Sequence, residues 1–424
     1  MCFKLIRTYD WLLDLYVVDF FVENHWQLLP LSWKDCLEEM GPQDIGDLLS
    51  GTPSKKQLLP LSLLAFIKSI KVLSIPRNPV KFCNGKELVN EHPKLRNLLL
   101  KHVKLKKRHE ISLMANVVSK TATDTGCRSV IDFGSGLGHL MRVLAYRNSL
   151  QTAGIECQEE LTNEARKLDM EYCYIVKKYI SQEEFNKLCS PLHFNLTLTC
   201  HQQLLDLDLP ESMAHYGLIG LHPCGNLGPL LLKHFTKHDN VKFICVVGCC
   251  YMKLTDSGYP MSNFVNKLDS KLSYPAREIS CHAIEVYCDR LKKGHYEDLK
   301  IHAYRAAFER VLRAHDPKLR HSPVRSIKHT DSMTFERYCS LALERIAAPI
   351  SVTGETLCHG LSDVAQWRRV VALFSLRLAL APVVETVVLL DRVLYVLEHG
   401  LWCEIHPVFD PNLSARNHII IAKR

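Results

Sequence analysis

Two groups of residues in this 424-residue chain have types and spacings that can do chemistry. The first is Asp132-Phe133-Gly134-Ser135-Gly136-Leu137-Gly138-His139, followed eighteen residues after Gly138 by Glu156. Alternating glycines let a backbone approach a ligand closely and expose amide groups at the start of a helix. An acidic residue at the tip of the next strand can accept hydrogen bonds from both hydroxyls of a ribose. A dinucleotide loop would need G-x-G-x-x-G/A, with a small residue where His139 stands, and His139 is too large. The spacing Asp132-x-Gly134-x-Gly136-x-Gly138 instead fits a site for S-adenosylmethionine. There Asp132 orders the loop from below and faces an ammonium group, while Gly134, Ser135, Gly136 and Gly138 line the ligand and Glu156 takes the ribose.

The second group is His222-Pro223-Cys224-Gly225-Asn226 together with Gly248-Cys249-Cys250-Tyr251. Three chemistries are open to it. His222, whose ordinary pKa is about 6.5, could take a proton from a nucleophile that attacks a methyl donor directly. Cys224, with Cys249 or Cys250, could attack C6 of a pyrimidine and activate C5 for methylation. His222, Cys224, Cys249 and Cys250 could together hold zinc. No metal is assigned from sequence. His222, Cys224, Asn226, Cys249 and Cys250 form the candidate catalytic set, although a free cysteine is also a common core residue.

Strand–helix alternation must position these groups, and it argues a parallel sheet. The expected strands are Ser129–Phe133, Thr152–Ile155, Phe194–Thr199, Gly217–Leu221 and Val241–Val247, with helices from about Leu137 to Tyr146, Glu159 to Lys167 and Leu227 to His234. Cys200, His201 and Gln202, after the third strand, are candidates to meet an adenine ring. Residues 1–105 read as helical, with Pro30, Pro42, Pro53 and Pro60 as punctuation. A basic run, Lys101 to Arg108, leads into a helix ending near Thr123. Residues 106–262 are the α/β core, and 263–400 a mostly helical insertion. Residues 401–424 carry two last strands, Trp402–Val408 and His418–Ala422, expected to run antiparallel in the same sheet.

Composition sets outer bounds. Hydrophobic residues make up 47% and charged residues 23% of the chain, the balance of an ordinary globular protein. A formal charge of +8 leans mildly toward polyanions or acidic surfaces. Seventeen scattered cysteines point to reduced thiols in the cytoplasm or nucleus. The apolar stretch Val370–Val396 is broken by Arg377, Pro382, Glu385, Asp391 and Arg392, and reads as two buried helices hinged at Pro382 rather than a membrane span. A soluble intracellular protein is expected, with no membrane partner.

Several motifs together resemble the methyltransferase-like protein 25 family. They are Lys106-Lys107-Arg108-His109-Glu110-Ile111, the glycine loop through Leu140, Gly220-Leu221-His222-Pro223-Cys224-Gly225-Asn226-Leu227 and Val247-Gly248-Cys249-Cys250-Tyr251. Residues Phe21 to Pro30 and Leu413 to His418 join them, so the likeness spans most of the chain. The shorter 25B branch, formerly called ribosomal RNA adenine dimethylase domain-containing protein, is the nearest in pattern. The resemblance implies a class I, Rossmann-like seven-stranded methyltransferase sheet that uses S-adenosylmethionine on an RNA or protein acceptor. RNA is favoured, DNA is not expected, and a partner subunit is left open. The chain has Asn226 where relatives often have Asp, and it lacks the Asn-Pro-Pro-aromatic motif of adenine dimethylases. The His-x-Cys-Gly and Cys-Cys tips bear a weaker likeness to a transfer-RNA ribose methyltransferase family. The reading from another class is a catalytically silent binding or assembly protein that keeps the fold.

Overall fold

The computed structural model describes residues 1–52, 58–80, 99–100, 103–186, 188, 190–197, 209–294, 296–324, 327, 333–346 and 354–424, with the side chains of 184, 186 and 297 outside the description. The chain divides into two compact units. A helical unit combines Met1–Ile75 with Ser273–Val384, and a sheet unit combines Pro76–Leu272 with Glu385–Arg424. The helices read from sequence as an N-terminal region and an insertion thus belong to one body. The second return to the sheet unit begins at Glu385 rather than at residue 401. Its cause is a set of carboxylates: Glu385 binds Arg77 and Arg416, Asp391 accepts the backbone N–H of Met261 and Ser262, and Glu398 accepts those of Asn263 and Phe264.

The sheet unit has seven strands in the order β3-β2-β1-β4-β5-β7-β6. They are β1 (Ser129–Phe133), β2 (Gln151–Glu156), β3 (Leu192–Asn195), β4 (Tyr216–Leu221), β5 (Val241–Val247), β6 (Trp402–Pro407) and β7 (His418–Lys423). The first five are parallel, and β7 runs antiparallel to both β5 and β6. That is the class I methyltransferase order, with one correction in detail: β7 is inserted between β5 and β6, so β6 points the same way as the first five. Strands β1 and β4 are buried at every position, as strands covered on both faces must be. Gly154 on β2 is required by packing, since a Cβ there would come 2.1 Å from Met141 Sδ.

Four helices matter for the site: α1 (Leu105–Asp124), α2 (His139–Asn148), α3 (Glu159–Val176) and α4 (Leu227–Lys237). Ile111, Met114, Val117 and Val118 of α1 and Leu140, Val143 and Leu144 of α2 share one core with Val130, Ile219, Phe243 and Ile421. Strand order reverses between β1 and β4, with Asp132 level with Ile219. In an open α/β sheet the crevice beyond the carboxyl ends at such a reversal is where ligands bind.

In the helical unit, Trp33 packs against Phe66 and donates its indole N–H to Ser62 Oγ at 2.8 Å. Gly46 of helix Pro42–Ser50 lets helix Ile284–Lys292 approach closely; a Cβ there would sit 3.0 Å from Leu291 Cβ. The apolar run Trp367–Glu398 is long enough by composition to cross a membrane, yet 83% of its most apolar window is buried inside the protein. It forms two helices, Trp367–Ala379 and α5 (Ala381–Glu398). The break falls at Leu380, so Pro382 occupies the first turn of α5, where its missing N–H costs nothing.

Candidate active site

The glycine loop leaves β1 and opens α2. Gly134, Gly136 and Gly138 all have positive φ (68°, 54° and 69°), so each glycine of the alternating set is needed for its backbone conformation. Gly134 and Ser135 donate their N–H groups to the Ile155 carbonyl at 2.9 and 3.2 Å, which lashes the loop to the end of β2. Glu156 completes the tie: Oε2 accepts the Gly136 N–H at 2.9 Å and Oε1 the Gln158 N–H at 3.0 Å. A carboxylate offers about four acceptor positions, so these bonds leave capacity for a ribose.

Asp132 lies beneath the loop, buried, and its Oδ1 has no hydrogen-bond partner among the described residues. Burial pushes its pKa up to about 7, with Glu156 adding to the rise and Lys107 opposing it. An orphaned carboxylate oxygen in this position suits a ligand cation. Burial, with help from Arg142 and Lys107, lowers His139 to about 4 and keeps its ring neutral.

Behind the loop stands an ionic network that the sequence reading missed. Buried Arg142 of α2 pairs with Asp169 of α3, and its Nη2 donates to the Leu137 carbonyl of the loop at 3.0 Å. The other oxygen of Asp169 takes His193 Nε2 of β3 at 2.6 Å. The available signal was a strong charge, Arg142, inside an otherwise apolar helical stripe. Cys200, His201 and Gln202, the adenine candidates, lie outside the described residues, as do Lys101 and the C-terminal part of the expected third strand.

His222 ends β4 in a left-handed conformation (φ 70°) that a non-glycine residue adopts only when its surroundings impose it. Its N–H bonds the Val247 carbonyl at 3.0 Å, and its Nε2 meets Glu110 Oε1 at 2.9 Å. Glu110 is a buried carboxylate on the apolar stripe of α1, in line with Met114 and Val117. It also accepts from Ser414 Oγ at 2.7 Å. Burial raises the Glu110 pKa, but His222, Ser414 and Lys106 outweigh it and hold the carboxyl below its ordinary range. His222 Nδ1 is buried with no hydrogen-bond partner among the described residues.

Cys224, Cys249 and Cys250 converge: their sulfurs are separated by 3.3 Å (224–249), 3.4 Å (224–250) and 3.5 Å (249–250). Burial raises Cys224 and Cys249. Burial also opposes ionisation of Cys250, yet hydrogen bonds from the other two thiols bring it below the ordinary range. His222 does not join them: Nε2 is turned to Glu110, and neither ring nitrogen lies within 4.8 Å of all three sulfurs. Asn226 spends its amide elsewhere: Nδ2 donates to Thr255 Oγ1 (2.6 Å) and Ser257 Oγ (3.1 Å), while Oδ1 accepts the Thr255 N–H at 3.0 Å. It clasps the 255–258 turn. Tyr251 is fixed at the β5 tip, with its hydroxyl on Glu385 and the Arg392 and Arg416 guanidinium groups 5.5 and 5.6 Å from its ring.

A family model described as a methyltransferase domain matches residues 106–257. Probable methyltransferase-like protein 25 of Mus musculus is 26% identical over 245 residues, covering 53% of this chain and 40% of that protein. Its Homo sapiens counterpart is 25% identical over 268 residues, covering 58% and 42%. The chain therefore spans about two fifths of the length of these curated relatives. Among solved structures, the methyltransferase domain of bacterial CtHen1-CN overlaps 32% of this chain and 64% of that one, at 14% identity and TM-score 0.23. The plantazolicin methyltransferase BpumL in complex with SAH overlaps 77% and 92%, at 11% identity and the same TM-score of 0.23. The fold assignment rests on strand order and on the matched domain, not on these two overlaps.

Proposed function

We propose that this chain, which is similar over part of its length to methyltransferase-like protein 25, moves a methyl group from S-adenosylmethionine to a macromolecular acceptor, RNA in preference to protein. The observation that carries the reading is the left-handed triple-glycine loop above a buried, unsatisfied Asp132 carboxylate and beside Glu156. Asp132 would pair with the methionine ammonium, the loop amides would face the ligand, and the remaining acceptor positions of Glu156 would take the ribose hydroxyls. When bound, S-adenosylmethionine supplies a methyl group made electrophilic by its sulfonium.

The protein's own residues then handle the acceptor. Glu110, fixed by Ser414, accepts from His222 Nε2 and selects the tautomer whose Nδ1 is basic. That nitrogen, buried in the unliganded protein, would take the proton an acceptor hydroxyl or amine gives up as it attacks, once acceptor binding uncovers it. A buried carboxylate orienting an imidazole is the arrangement that general-base catalysis needs. Most of the remaining acceleration comes from holding donor and acceptor in line at the β1/β4 reversal.

Preference for RNA rests on the start of α1. Lys104, Lys106 and Arg108 are exposed there, and the charge of neighbouring Lys107 is felt by Asp132 and His139. A cationic edge beside the donor site favours a polyanionic acceptor. The test is to incubate total RNA and total protein with radiolabelled S-adenosylmethionine and the full chain. Label in RNA that disappears with His222→Ala supports the reading. Label only in protein overturns the RNA preference, and label in neither fraction overturns the activity.

A further inference from the structure

The three thiols at the tips of β4 and β5 form the densest cluster of metal-ligating atoms in the sheet unit among the described residues. We propose that Cys224, Cys249 and Cys250 form a three-thiolate site for a single thiophilic divalent cation, zinc by preference, with the fourth position open. Geometry comes first. An ion about 2.3 Å from each of three sulfurs separated by 3.3, 3.4 and 3.5 Å would sit about 1.2 Å out of their plane, in the manner of a tripod. Opening the sulfurs by about 0.3–0.4 Å gives tetrahedral separations, with the fourth vertex unfilled by protein.

His222 is not the fourth ligand. Its Nε2 is held by Glu110, neither ring nitrogen lies within 4.8 Å of all three sulfurs, and its carbonyl accepts from Cys249 Sγ at 3.4 Å. Four-thiolate structural zinc is likewise excluded among the described residues, because no fourth cysteine joins the group. Three protein ligands and an open position is the pattern of a site that takes an exchangeable ligand.

Charge supplies an independent observation. A divalent ion with three thiolates carries a net charge of −1, which a half-buried tip holds more readily when a cation stands by. One does. Arg392 is buried, and neither its Nε nor its Nη1 has a hydrogen-bond partner among the described residues. Its guanidinium lies against the backbone of Gly248, one residue before Cys249, where a Cβ would come within 2.2 Å of Nη1. Exposed Lys253 adds a second positive charge beside Cys224 and Cys250. Binding to the protonated cluster balances as Zn²⁺ plus three thiols giving one zinc tris-thiolate and three released protons. Soft sulfur ligands favour zinc over the hard divalent ions, magnesium and calcium.

The site stands on sulfur geometry and holds whether or not methyl transfer is found, so the two claims can fail separately. The test is anaerobic titration of metal-free, full-length protein with Co²⁺. One equivalent should produce a thiolate-to-cobalt charge-transfer band and the intense visible absorption of four-coordinate cobalt, both displaced by Zn²⁺. Cys224→Ser and Cys250→Ser should lose the band, while Cys358→Ser, at an exposed cysteine in the helical unit, keeps it. A second readout needs no variant: zinc should protect Cys224, Cys249 and Cys250 from alkylation in the wild-type chain, as located by peptide mass. Absence of the band, its survival in Cys224→Ser, or zinc protection confined to other cysteines would each overturn the site.

Discussion

His222 and Asp132 carry the account at the scale of single residues, because each has an atom that burial leaves unsatisfied. If Glu110 only positions His222, Glu110→Gln should lower kcat by about tenfold, and His222→Ala by about 10²-fold or more. Both should leave the Kd for S-adenosylmethionine unchanged. A purely structural Glu110 would instead weaken binding and lower Tm along with kcat. Glu110 also has a folded-state pKa below its unfolded value. The stability it contributes is present above the ordinary glutamate range and is lost as pH falls through the lowered value. Asp132 has the opposite sign. Its pKa rises from 3.8 to about 7, so the unliganded fold holds a proton that the unfolded chain releases, and stability declines as pH rises through that window. A bound ammonium prefers the ionised carboxylate. Cofactor affinity should therefore climb by up to about tenfold per pH unit below 7 and level off above it, and Asp132→Asn should flatten the profile. Calorimetry across pH 5.5 to 8.5 (about three units) reads the difference.

At the scale of elements, the β1–loop–α2 unit and the ends of β4 and β5 position everything. Gly136→Ala forces an L side chain into a φ of 54°, which costs about 1–2 kcal/mol locally. It should weaken cofactor binding more than it lowers Tm. Gly154→Ala acts in reverse: its Cβ overlaps Met141, and overpacking of about 1–3 kcal/mol should lower Tm first. Much of this layer was legible in the sequence. β1 and β5 fall where expected, because a run of β-branched residues bounded by turn signals reads clearly when both faces are buried. β3 was placed too late. Among the described residues it is an edge strand that pairs only with β2, and its ladder stops at Asn195, whose side-chain amide turns back to the Glu156 carbonyl at 3.1 Å. The helices α3 and α4 run longer than the apolar periodicity implied: the last turn of α4, His234–Lys237, is largely polar, and the added turns of α3 bury Asp169, Tyr172 and Val176 only at wider intervals. The Glu110–His222 pair was invisible for a different reason: its members are 112 residues apart, and only the fold brings them together.

For the whole molecule, the division into a helical and a sheet unit depends on contacts between segments some 200 residues apart in sequence, which no local pattern announces. Charge is the property of the whole that sequence does give. Reversing the exposed cations at the start of α1 (Lys104→Glu, Lys106→Glu, Arg108→Glu) should weaken RNA binding across sequences. It should also reduce the slope of log K against log salt by about 2, if each cation meets one phosphate of a single strand. A fluorescence anisotropy titration over a range of salt concentrations checks this. Binding that ignores both salt and these substitutions would place the acceptor elsewhere.

The central claim is that the triple-glycine loop, with Asp132 and Glu156, holds a methyl donor. It is tested most directly by isothermal calorimetry of S-adenosylmethionine on the full-length chain, on Gly136→Arg and on Glu156→Ala. The account predicts one site on the wild type, no detectable binding to Gly136→Arg, whose side chain would fill the loop, and weakened binding to Glu156→Ala. Absence of binding to a folded wild-type chain, or equal binding to all three proteins, would contradict it.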